Sequence, residues 1–152
     1  MGVYVMTDLE RAVICDIDGT LALRGDGPDA RRFYDWHRVG EDTPNEPVVE
    51  LLNMIAPAWP PLVRIILLSG RDEVCRAETE EWLIKHDIGW HELYMRRHKD
   101  NRKDSVVKRE MYESYVLGSY RVVCVLDDRT QVVRMWRDEL GLTCLQVADG
   151  DF

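Results

Sequence analysis

At 152 residues the chain fits one domain with a proper core, and its 45% hydrophobic and 32% charged residues are those of a soluble globular protein. No apolar stretch approaches the ~20 residues that cross a bilayer, and Met1 to Glu10 lacks the basic-then-apolar pattern of a signal peptide, so a cytoplasmic location is expected. A formal charge of -8 excludes indiscriminate nucleic-acid binding, although the stretch from Arg96 to Arg109 is locally positive and suits an anion.

In chain order, five short apolar runs read as strands: Ala12 to Cys15, Val63 to Leu68, Trp90 to Met95, Val122 to Leu126 and Leu142 to Val147. Helical patterns lie between them at Pro47 to Ile55, Asp72 to His86, Ser105 to Leu117 and Gln131 to Glu139. This alternation predicts an α/β fold, a mainly parallel Rossmann-like sheet with helices on both faces. Arg24 to Asn45, rich in Gly, Asp and Pro and carrying Phe33, Tyr34 and Trp36, reads as an ordered excursion above the first strand. With no repeat or linker, residues 1–152 are expected to form a single domain. Cys15, Cys75, Cys124 and Cys144 form no C-x-x-C pair, so they read as reduced packing residues rather than disulfides or zinc ligands. His37, His86, His91 and His98 share no ligand spacing.

Chemistry concentrates where strands run out. C-D-I-D-G-T at Cys15 to Thr20 puts Asp16 and Asp18 at the end of the first strand, the edge where α/β sheets bind ligands. Ser69-Gly70-Arg71 follows the second strand, Asp127-Asp128-Arg129 follows the fourth, and Lys103 opens the helix before it. Two carboxylates about 4 Å apart repel by roughly 4 kcal/mol at an effective dielectric of about 20, so four sharing a pocket need a cation. Magnesium suits oxygen donors and phosphate, with Asp16, Asp18, Asp127 and Asp128 as its site and Asp128 the preferred direct ligand. Asp16 would be the nucleophile, and Asp18 would protonate the leaving oxygen and later activate water. Ser69 and Lys103 would hold the phosphoryl oxygens, and a cation at a helix N-terminus itself implies an anion facing it.

The order D-x-D-G-T, strand-Ser, Lys, D-D resembles the haloacid dehalogenase superfamily of phosphotransferases. L-S-G-R at Leu68 to Arg71, R-K-D-x-V-V-K at Arg102 to Lys108, D-D-R-T-Q-V-V-R-M-W-R at Asp127 to Arg137 and the terminal L-Q-V-A-D-G-D-F narrow the likeness. From about residue 11 onward the chain is similar to the 3′-phosphatase domains of bacteriophage polynucleotide kinase-phosphatases. That resemblance implies magnesium, an aspartyl-phosphate and removal of 3′-phosphates, cyclic forms included, from RNA or DNA ends. It carries over Asp16, Asp18 and Lys103 as catalytic residues. Substrate binding is expected from Ser69, Gly70, Arg71, Thr20, Asp100, Arg102 and an arginine of the excursion, with Arg24 preferred over Arg31 and Arg32. Arg71 would clamp a second phosphate, and Asp100 would orient Lys103 or Arg102. The kinase loop G-x-x-x-x-G-K-[ST] is absent, so no kinase domain is expected, and a separate kinase or ligase would act beside this chain, in the host cytoplasm if it is of phage origin.

The intervals Leu21 to Leu62 and Asp72 to Arg102 leave room for only a minimal cap, so the mouth is expected to be open. Flanked by Arg24, Arg71 and Arg96 to Arg102, it would admit a polymer end, with Tyr34 or Trp36 available to stack a base. Two alternatives stand beside this reading. One is a small-molecule phosphomonoesterase such as a nucleotidase; the other is a receiver-type signalling domain phosphorylated on aspartate.

Overall fold

The computed structural model describes residues 9–56 and 61–152, so most of the segment read for a signal peptide lies outside the described residues. All five expected strands form: β1 (Glu10–Cys15), β4 (Val63–Asp72), β5 (Glu92–Arg96), β6 (Tyr120–Arg129) and β7 (Cys144–Gly150). They pair in parallel in the order β5-β4-β1-β6-β7, which places β1 at the centre. Two further short strands, β2 (Ala22–Leu23) and β3 (Thr43–Pro44), pair antiparallel and bracket the excursion. The described residues contain no helix long and apolar enough to cross a membrane.

Strand periodicity divides the core between the two faces of the sheet. On one face Val13, Cys15, Ile65 and Leu67 pack against Val48, Val49 and Leu52 of α1 (Glu46–Ile55) and Trp82 and Leu83 of α2 (Arg76–Lys85). On the other, Ala12, Ile14, Ile66 and Leu68 meet Val107 and Met111 of α3 (Asp104–Met111) and Val132 and Val133 of α4 (Thr130–Arg134). Both α3 and α4 run on through wider π-type turns, Tyr112–Val116 and Met135–Glu139, which complete the helical stretches read from the sequence. The four cysteines are free.

Strand ends differ from expectation in a way that matters for the site. Leu68 does not end β4, nor Leu126 β6; each continues to Asp72 and Arg129, with register irregularities after Ser69 and Asp127. A bulge lets a strand keep its pairing while re-aiming one or two side chains, which is how Gly70 and Asp128 come to face the same opening. β1 does stop where expected, because Gly19, at φ +84, turns the chain within Ile17–Ala22. The Asp16 amide still donates to the Leu126 carbonyl at 2.9 Å, fixing that aspartate beside the end of β6.

β7 closes the edge by close backbone approach. A Cβ on Gly150 would stand 2.2 Å from the Asp128 carbonyl oxygen, a contact that only backbone movement could relieve. Gly150→Ala is therefore expected to cost about 1–3 kcal/mol in urea unfolding, against less than about 0.5 kcal/mol for Gly40→Ala, where the added methyl meets open space.

Candidate active site

At the carboxyl edge of the sheet a buried lysine gathers the acids, and it is Lys108. Its Nζ lies 2.8 Å from Asp16 Oδ1, 2.9 Å from Asp127 Oδ2 and 3.5 Å from Asp104 Oδ2. Burial opposes its charge, but the carboxylates of Asp104, Asp127 and Asp16 outweigh that and raise its pKa well above the ordinary lysine value. Lys103 is displaced from the expected role. It is exposed at the N-cap of α3, whereas Lys108, one turn on from Asp104, faces the sheet alongside Val107 and Met111. Four residues apart, Asp104 and Lys108 share one helix face, so R-K-D-S-V-V-K presents its second lysine, not its first.

Lys108 alone does not neutralise the cluster. Burial and the neighbouring Asp127, Asp128 and Asp104 push the Asp16 pKa well up despite Lys108, and burial with Asp127 raises that of Asp128. Carboxylate oxygens of Asp16, Asp127 and Asp128 lie within 4.8 Å of one another, a hard-donor set of the kind that holds a divalent cation. Asp127 is also engaged by the Trp136 indole at 3.3 Å and the Arg129 amide at 3.2 Å, which leaves Asp16 and Asp128 the more open pair. Thr20, expected to bind substrate, is fully buried and donates instead toward Asp16 and Asp128, 3.2 and 3.4 Å away, so it orders those two carboxylates.

Asp18 stands outside that cluster. Its Oδ1 accepts from Arg31 Nη2 at 2.8 Å and from Arg71 Nε and Nη2 at 3.1 and 2.8 Å. Burial works against its charge, but Arg71 and then Arg31 and Arg24 hold its carboxyl below the usual range. Both arginines also grip Asp42, whose Oδ2 lies 2.6 Å from Arg31 and 2.8 Å from Arg71, while Trp82 donates to the Asp42 carbonyl. Arg71 is thus no clamp for a second phosphate. It is wholly buried, its remaining donor reaches Thr79, and it lies beneath Asp18 rather than at the mouth. Ser69 is buried too, its Oγ accepting from the Arg71 amide at 3.1 Å across the bulge.

What remains open is a cavity of about 400 Å³ with Asp16, Asp18, Gly70 and Asp128 at its base and Arg24 and Phe33 at its rim. Arg24 stacks over the Phe33 ring with its guanidinium carbon 5.3 Å from the centroid, and so the preferred arginine of the excursion does reach the cavity; Arg31 is buried beneath it. Arg102 and Asp100 do not enter this cavity. Asp100 accepts from the Arg102 amide and guanidinium, which lowers its pKa to about 2, and Arg102 also reaches Glu110. Arg96 is likewise engaged, by the carbonyls of Gly70, Asp100 and Arg102 and by Asp104, so most of the basic run is internal ion pairing.

Sequence comparison gives this geometry its relatives. Residues 10–152 match the family described as the phosphatase domain of polynucleotide kinase PNKP. The chain belongs to that family. A protein of Autographa californica nuclear polyhedrosis virus, provisionally named a bifunctional polynucleotide kinase/RNA ligase, is 39% identical over 130 residues, which are 84% of this chain and 18% of that protein. Chains in two solved structures, described as the Pnkp1/Rnl/Hen1 complex and the Pnkp1/Rnl/Hen1 RNA repair complex, are 43% identical with a TM-score of 0.88. These cover 96% of this chain, which in turn spans 48% and 45% of theirs, less than half the length of its relatives. The fold is therefore the haloacid dehalogenase type expected from the motifs, and the receiver-domain alternative has no support in these relatives.

The two lysines separate cleanly by experiment. Lys108→Met, which leaves Asp16, Asp104 and Asp127 facing one another without a cation, is expected to cost about 3–5 kcal/mol in metal-free urea unfolding. Lys103→Ala is expected to change the same measurement by less than about 0.5 kcal/mol.

Proposed function

We propose that this chain is a magnesium-dependent phosphatase that removes the 3′-phosphate from RNA or DNA ends through an aspartyl-phosphate on Asp16. The observation that carries the reading is the setting of Asp16: ion-paired to Lys108, grouped with Asp127 and Asp128, and lying at the base of a cavity in a chain of the polynucleotide kinase phosphatase family. Magnesium held by Asp16, Asp128 and Asp127 would offset their charge and polarise a phosphoryl oxygen.

Asp16 attacks phosphorus through a carboxylate oxygen, and the bond from phosphorus to the 3′ oxygen breaks. The leaving oxygen takes a proton from Asp18. Water then attacks the acyl phosphate, Asp18 takes a proton back, and inorganic phosphate leaves with the Asp16 carboxylate restored. Within Asp18 the work divides between its oxygens. Oδ1 accepts the arginine hydrogen bonds, and Oδ2, which takes none of them, is the atom that carries the proton. Because Arg71 and Arg31 favour its ionised form, Asp18 is set to act as base, and its acid role begins from a proton taken up on Oδ2. Lys108 holds Asp16 in orientation, and its charge faces the phosphoryl group as negative charge builds on it.

Under this reading the chain acts in nucleic-acid repair in the cytoplasm, that of the host for a viral protein, and a kinase and a ligase supply the other steps at the same break. The naming of the viral relative for kinase and ligase and the RNA repair complexes of the structural relatives support that placement.

A 3′-phosphorylated oligonucleotide is expected to be turned over faster than its 5′-phosphorylated isomer or a mononucleotide, and chelation should abolish the activity. Preference for the mononucleotide would establish the small-molecule phosphomonoesterase instead. Asp16→Asn is expected to lower turnover by at least about a thousandfold with no loss of folding stability, since it removes one charge from a crowded cluster. Turnover near the parent level would exclude covalent catalysis at Asp16.

A further inference from the structure

Beyond the catalytic cavity lies a second, larger one of about 820 Å³, and the two share Arg24, Phe33, Gly70, Asp104, Arg129 and Phe152 as a common border. Their charges are opposite. The catalytic cavity has five aspartates against Arg24 and Arg129, whereas the second carries Arg24, Arg96, Arg102, Lys103 and Arg129 against three acids. Most of those cations are already engaged: Arg96 and Arg102 in the pairings given above, and Arg129 with the Phe152 carbonyl and ring. Among the described residues lining this cavity, Lys103 is the one cation whose side chain makes no hydrogen bond, ion pair or ring contact within the protein.

Three aromatic residues line the same cavity. Phe33, Tyr34 and Trp36 meet edge to face, with ring centroids 4.9, 5.7 and 6.0 Å apart. Trp36 packs back onto the core, and Phe33 carries Arg24. Tyr34 meets both rings edge to face yet remains 77% exposed, which leaves most of its ring open to solvent. A large exposed ring that lines the same cavity as an unpaired ammonium matches the two recurring features of a single nucleotide: a base to stack and a phosphate to pair.

We propose, resting on the function given above, that this second cavity seats the nucleotide next to the scissile phosphate. The terminal base lies on Tyr34, and the phosphodiester on its 5′ side faces Lys103. Lys103 would thereby select a polynucleotide end over a mononucleotide, and Tyr34 a nucleotide over a simple phosphate ester, both remote from the chemistry. Lys103, placed by sequence among the catalytic groups, becomes a specificity residue one step up the strand.

Three substrates resolve this: a nucleoside 3′-phosphate, a dinucleotide bearing a 3′-phosphate, and p-nitrophenyl phosphate. For the parent protein, kcat/KM is expected to rise from the first to the second. Tyr34→Ala should lower kcat/KM for the dinucleotide by about tenfold relative to p-nitrophenyl phosphate, chiefly through KM, and Tyr34→Phe should restore it. Lys103→Ala should erase the gain from mononucleotide to dinucleotide and reduce the slope of log KM against log salt by about 0.7, the loss of one phosphate contact on a single strand. An unchanged preference in both alanine variants, or a Tyr34→Phe defect as large as that of Tyr34→Ala, overturns the assignment while leaving the 3′-phosphatase reading intact. A parent protein with no activity on the dinucleotide overturns that reading itself.

Discussion

The buried ammonium of Lys108 is the constraint around which the carboxyl edge of the sheet is organised. It draws one carboxylate from β1's end, one from β6 and one from its own helix into contact, and so ties the two sheet elements to α3 by charge as well as by packing. Such an arrangement is a poor source of net stability, because the desolvation of each charge offsets most of its Coulomb gain. What it fixes is orientation. Asp16 has one oxygen on Lys108 and the other near the Thr20 hydroxyl, so its carboxylate has little freedom to rotate away from the cavity.

The same edge separates two carboxylates only two residues apart. Asp16 faces the acid cluster, where burial and like charge raise its pKa, and Asp18 faces Arg31 and Arg71, which lower its own. Alternation along an extended chain sends neighbours at i and i+2 to the same side, so this divergence depends on β1 ending at Cys15 and on the turn at Gly19. Gly19 also gives Asp128 its room, since a Cβ there would stand 2.2 Å from the Asp128 carboxylate. Asp42 completes the division by holding the two arginines that hold Asp18, which makes the excursion between β2 and β3 part of the site rather than a cover laid over it.

Sheet and helices were legible because burial on both faces of a parallel sheet writes itself as uninterrupted runs such as Ile65-Ile66-Leu67-Leu68, and amphipathic helices repeat by turns. The aspartates were legible because a carboxylate at the end of such a run has few structural reasons to be there. Lys108 was hidden by its own helix: set among Val106, Val107 and Met111 it reads as a break in an apolar stripe, and only the pairing with Asp104 four residues earlier marks it. Asp42, Arg31 and the inward turn of Arg71 were hidden for a different reason. Their segments follow no period, and an arginine beside a phosphate pocket looks the same in sequence whether it points into the pocket or supports the aspartate that does.

Charge over the whole molecule also misleads about charge at the mouth. A chain of net -8 repels a polyanion at long range, but beyond the Debye length, about 8 Å at physiological salt, that repulsion is largely screened. Closer in, the balance is local: acids outnumber cations in the catalytic cavity, most cations of the second cavity are locked in pairs, and Lys103 is exposed among them. Locked cations still set the potential of the wall they stand in, but they cannot follow a ligand. Under the proposed reading this explains how one surface can receive a strand without gripping its full length, since phosphates beyond the second cavity meet a protein whose remaining surface is net acidic.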